Sequence, residues 1–132
     1  MKEERQKVLV IGLVWPEPNA TAAGIRTMQI LQFFIDFGAS VTFASTASKT
    51  PYTAELEDKS VHTSTIKLND PGFSEFLVAL QPTIVVFDRF LTEEQFGWKV
   101  AEIVPNALRI VDTQDLHSLR NSRENALKEG AV

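Results

Sequence analysis

The chain contains no cysteine, which excludes disulfides, thiolate metal sites and a cysteine nucleophile. Its two histidines, His62 and His117, lie far apart in sequence, so any metal site would rest mainly on carboxylates. Nothing approaches the roughly 20 consecutive apolar residues of a spanning helix. The apolar run behind the charged amino terminus, Val8 to Trp15, is too short for a secretory signal and has no small-residue cleavage site. Basic residues are not in excess: the net charge is −4 and the pI about 5.2. That balance gives no general attraction for nucleic acid or anionic lipid and leaves only a local basic patch as a route to either. The expectation is a cytoplasmic protein, membrane-peripheral at most, with no nucleic-acid partner.

What is present is an ordinary globular composition, 44% hydrophobic and 23% charged, over 132 residues. This length suits one domain that buries roughly 65–70% of the surface its unfolded chain exposes. Strands and helices alternate along it. Val8–Val14 reads as a central strand and Trp15–Asn19, with two prolines, as a loop. Thr21 caps a helix over Ala22–Phe37, stopped by Gly38, with Ile25, Met28, Leu31 and Ile35 as its buried stripe. Val41–Ala44 is a second strand, and Ser45–Ser60 a surface connection holding at most a short helix. Val61–Leu68 alternates apolar and polar residues, as an edge strand does.

Asp70-Pro71 opens a helix that ends at Leu80. Ile84–Phe87, followed by Asp88 and Arg89, is a continuous apolar run that predicts a strand buried on both faces. Thr92-Glu93-Glu94-Gln95 matches a capping box in front of Phe96, Val100 and Ile103. Ala107–Val111 is a fifth strand ending in Asp112-Thr113, and a last helix is expected over Leu116–Lys128.

Such alternation predicts an α/β fold with a doubly wound parallel sheet of about five strands in the order 3-2-1-4-5. The crevice at the carboxyl ends of strands 1 and 4 is then the switch point where open sheets bind ligands. Three loops converge there: Trp15–Arg26, Asp88–Thr92 and Asp112–His117. Several chemistries fail at these loops. Gly12 and Gly24 are too far apart for a dinucleotide fingerprint, and Ser45-Thr46 stand where its acidic residue belongs. There is no phosphate-binding GxxxxGK[ST] loop, no acidic pair of a phospho-receiver and no GxSxG elbow. Asp112, Asp115 and His117 are the local candidates for a metal, on proximity alone.

Four segments resemble a known family: Lys7–Ile11, Ala22–Arg26, Asp88-Arg89-Phe90 and, most specifically, Asp112-Thr113-Gln114-Asp115-Leu116-His117-Ser118-Leu119-Arg120. Together they look like the amino-terminal, Rossmann-like half of a GT-B-fold glycosyltransferase of the bacterial family-4 type (glycosyltransferase group 1). The likeness runs from Lys7 to Gly130. It implies that this half binds the hydroxyl acceptor (a glycan, lipid or small molecule). A carboxyl-terminal domain, beyond Val132, would bind the nucleotide-sugar donor. Gly24 and Arg26 would face the cleft, where helix-start amides and the guanidinium hold a donor phosphate or an acceptor hydroxyl. Asp88, Asp112 and His117 would line the acceptor side, with Arg89 and Arg120 beside them.

Asp112 and His117 are the best catalytic candidates, but no catalytic set is complete in this chain, no metal is implied and no cofactor is tightly held. The resemblance therefore implies a truncated domain, not competent alone, whose partners are the acceptor and the missing donor domain. Its open strand edge would favour self-association. The rival is a non-catalytic Rossmann-like binding or interaction module. Each residue also has a plainer role: Arg26 as a solvated helix residue, Asp88 as a cap of the next turn, and Asp112 and Asp115 at the start of the last helix. His62 reads as an ordinary strand residue. Trp15 and Trp98 read as packing residues, with Trp15 the better sugar-stacking candidate because it ends a strand.

Overall fold

A computed structural model describes residues 6–16 and 22–112. Among them the chain runs β1 (Lys7–Gly12), α1 (Ala22–Asp36), β2 (Ser40–Ser45), α2 (Pro51–Asp58), β3 (His62–Thr65), α3 (Pro71–Leu80), β4 (Ile84–Asp88), α4 (Phe90–Ile103) and β5 (Leu108–Asp112). All five strands are parallel, in the order β3-β2-β1-β4-β5. The strand–helix alternation and the expected order agree with this architecture. Val8–Ile11 pair with Val41–Ala44 on one side and with Ile84–Phe87 on the other.

The apolar runs of β1 and β4 arise because both faces of these strands are covered. Leu9, Ile11, Val85 and Phe87 point to one side and pack with Phe73 and Leu77 of α3 and Phe96 and Val100 of α4. Val8, Val10, Val41, Phe43 and Val86 point to the other, with Leu31 of α1 and Leu56 of α2. On this second side α1 lies against β2 and α2 against β3. Beside them a cleft of about 330 Å³ remains between α1 and β5, with Ile30, Phe33, Phe34, Val86 and Ile110 among its walls. β5 is the edge of the sheet among the described residues.

Local chemistry sets the element ends. Gly38, with φ of 93°, ends α1 in a left-handed turn. Its N–H donates to Ile35 O and that of Ala39 to Phe34 O, the paired bonds of a Schellman stop. The Asp70 carboxylate accepts from the Gly72 N–H at 2.9 Å, with Pro71 in the first turn of α3 as expected. Inside the 45–60 connection, Thr50 and Thr53 bond each other's backbone N–H groups and start the eight-residue α2. Such a cap contributes about 1 kcal/mol.

Four sequence expectations need correction. β1 stops at Gly12, and Val14 is exposed. β3 is shorter than Val61–Leu68, although Val61 and Ile66 at its ends are buried. Ile25 is exposed, and the buried line of α1 is Gly24, Thr27 and Leu31, because Thr27 is turned toward Asp88. α4 begins at Phe90, so Thr92 sits inside the first turn and forms no capping box. Its hydroxyl donates instead to Arg89 O at 2.9 Å. The helix expected over Leu116–Lys128 lies outside the described residues.

Candidate functional site

The carboxyl edge of the sheet brings together three of the predicted positions. Asp88 and Asp112 end β4 and β5 and are register partners. They follow Val86 and Ile110 by two residues, so both side chains stand on the α1 face of the sheet. Asp88 is buried, and its Oδ2 lies 3.4 Å from the hydroxyl of buried Thr27, which donates to it. One oxygen of Asp112, Oδ1, accepts from the Arg26 guanidinium at 3.1 Å. Its other oxygen, Oδ2, is buried and has no hydrogen-bond partner among the described residues. Arg26 crosses from the first turns of α1 to make this pair, and its side chain stays 56% exposed. A pair so open to water adds little stability.

Gly12 makes this crowding possible. A Cβ there would stand 2.6 Å from the Phe43 ring and 3.3 Å from Asp88 Oδ2. The end of β1 thus has no room for a side chain, and the space is taken by Phe43 and the Asp88 carboxylate. Arg89 is exposed and has φ of 89°, a conformation that costs a non-glycine residue energy. Its N–H donates to Asp112 O at 2.7 Å, which ties the β4–α4 turn to the end of β5. The strained turn directs the chain into α4 while leaving the two aspartates side by side.

Asp112 and Arg26 also form one end of the cleft between α1 and β5. The site therefore joins a polar end, where a carboxylate oxygen wants a donor, to an apolar trough walled by Ile30, Phe33, Phe34 and Ile110. Chemically, this end can orient a hydroxyl: its O–H donates to the Asp112 carboxylate and Arg26 donates to its oxygen.

Gly24 is buried on α1, two residues before Arg26. His117 and Arg120, together with Asp115, lie outside the described residues. Trp15 is a packing residue: it is buried, 5.5 Å from the Phe43 ring, and its indole N–H donates to the carbonyls of Ala47 and Ser48. The expectation that Trp15 is more available to a ligand than Trp98 is reversed, because Trp98 is 57% exposed. His62 is exposed on the β3 edge. Among the described residues no three His, Asp or Glu side chains group as a metal site would require, and no helix is long and apolar enough to cross a membrane.

Sequence reasoning missed Gly12 and Thr27. The signal for Thr27 is its place between Gly24 and Leu31 at spacings of three and four, which makes it a polar member of the buried line. Compared with family models, curated proteins and solved structures, the chain finds no match in any of the three.

Proposed function

We propose that this chain is the acceptor-binding amino-terminal half of a nucleotide-sugar-dependent glycosyltransferase, completed by a donor-binding domain. The observation that carries the reading is Asp112, held by Arg26 through one oxygen and left with a buried, unpartnered second oxygen beside Asp88 at the sheet's carboxyl edge. A glycosyl acceptor is a polyol, and fixed carboxylates hold its hydroxyls in one orientation. In this reading Gly24 lets α1 approach the crevice, Arg26 and Asp112 bind a hydroxyl, and Asp88 and Arg89 border it. His117 and Arg120 are carried by the resemblance alone.

The test is ligand-observed NMR of the purified chain against simple glycans, nucleotide sugars, free nucleotides and NAD. A component of glycan binding that is lost in Asp88→Ala and Asp112→Ala, with no response to nucleotides, is the expected result. Saturable NAD binding would overturn the reading.

A second reading, a non-catalytic interaction module, draws on a different observation. Phe33 of α1 and Leu108 and Ile110 of β5 are exposed at the open edge, and exposed Phe37, just past the end of α1, stacks on Phe33. Apolar surface next to unpaired strand groups favours association with another chain, including a second copy. Sedimentation at increasing concentration tests this, and a monomer throughout would remove self-association from it.

A further inference from the structure

A second pocket, of about 290 Å³, opens on the opposite side of the sheet, between the start of α3 and the middle of α4. Its aromatic wall is Trp98, the exposed one of the two tryptophans. Below lie the buried rings of Phe73 and Phe96, 4.8 Å apart, which give an apolar and closed floor.

The polar groups of this pocket divide into two sets. The charged ones are already engaged. Asp70 accepts from the Gly72 N–H, and Lys99 pairs with Glu102 at 3.1 Å while lying 4.6 Å from the Trp98 ring centroid. The neutral ones are not: among the described residues, Asn69, Ser74 and Gln95 make no side-chain hydrogen bond, although Ser74 and Gln95 are half-buried. A half-buried amide or hydroxyl without a protein partner is available to a ligand.

We propose that this pocket binds a neutral sugar ring. A pyranose has one C–H face to lay on an indole and hydroxyls around its rim for the uncommitted amides and hydroxyl. The Lys99 ammonium lies 4.6 Å from the indole centroid, and more than half of Trp98 stays exposed, enough for a saturated ring that needs a single aromatic face. A nucleobase would gain from a second exposed aromatic, which the pocket lacks because Phe73 and Phe96 are buried. A phosphate would find one cation, already paired with Glu102. The volume is at the small end for ligand pockets and fits a monosaccharide. This site is separate from the Asp88–Asp112 edge and does not depend on the proposed transfer reaction.

The experiment is an indole and side-chain-amide NMR titration of the full chain. The probes are methyl glucopyranoside, methyl galactopyranoside, methyl mannopyranoside and N-acetylglucosamine, with uridine and adenosine in parallel. The expected result is a saturable shift of the Trp98 indole N–H and of the Asn69 and Gln95 side-chain amides with at least one sugar, while the buried Trp15 indole stays fixed. Trp98→Ala, an exposed position whose folding is checked by circular dichroism, should weaken that binding roughly tenfold. Gln95→Ala should weaken it less, and Asp88→Ala should leave it unchanged. The proposal is overturned if no sugar moves the Trp98 signal up to its solubility limit, or if uridine or adenosine moves it more tightly than any sugar. Trp98 shifts that follow protein dilution instead of added sugar would also overturn it, in favour of a self-association surface. If the Trp98 shifts are intact but no glycan response depends on Asp88 or Asp112, the transfer reading alone is rejected.

Discussion

The two edges of the sheet are built on opposite plans. β3 is four residues long, His-Thr-Ser-Thr, and its side chains are polar and at least partly open to water. Such a strand is a poor template for another chain. β5 carries Leu108, Ile110 and Val111, all exposed, the first two on the face of the exposed Phe33 of α1, on which Phe37 stacks. The difference teaches where each edge was meant to meet solvent. β3 has α2 on one face and polar groups outward, so it is finished as it stands. β5 has α4 on one face and an apolar trough on the other, which calls for a cover from the rest of the chain, a further domain or a partner.

The sharpest way to break this comparison is a pair of alanine substitutions on the same face. Phe43→Ala, in the covered half, should cost about 3–5 kcal/mol in denaturant unfolding. Ile110→Ala should cost about 1 kcal/mol or less, since its side chain keeps solvent contact. If the two losses prove comparable, the trough is filled in solution and both edges are covered alike.

A smaller effect is expected from Gly12→Ala. The added methyl must displace the Phe43 ring or crowd Asp88, for a loss of about 1–3 kcal/mol by the same measurement. An unchanged midpoint would mean that the end of β1 is looser than a 2.6 Å approach allows.

Charge placed on the edges tests their sociability directly. Leu108→Lys should lower any concentration-dependent association seen by sedimentation, while Thr63→Lys on β3 should not alter it. Equal effects would erase the distinction between the edges. The smallest change is predicted for Arg26→Ala, under about 1 kcal/mol, because the guanidinium is largely solvated. A much larger loss would show that Asp112 depends on its partner for more than orientation.

Much of the fold was legible because its signals are redundant. Ile84–Phe87 reads as a buried parallel strand from composition alone, and Asp70-Pro71 marks a helix start by two independent preferences. The site was legible in part. Asp88 and Asp112 follow from their places at strand ends, and topology makes them neighbours. Their environment was hidden, since it depends on contacts between residues far apart in sequence: Thr27 with Asp88, Arg26 with Asp112, and Phe43 over Gly12. Thr92 misled because its hydroxyl serves the backbone of the preceding turn, a use that the same four-letter pattern does not distinguish from a cap. Trp15 misled because a strand-end position says nothing of whether the next loop folds over it, as Ala47 and Ser48 do.

The place of β1 at the centre of the sheet has a consequence for how the chain emerges from the ribosome. β1 is made first, and β2 can join one side of it soon afterwards. Its other side stays unpaired until β4 has been synthesised, after α2, β3 and α3. At ordinary translation speeds that interval lasts on the order of seconds. For that time the apolar strand β1 offers a bare edge outside the ribosome, so a nascent-chain holdase should find its best target in Val8–Ile11 while β4 is still inside the exit tunnel.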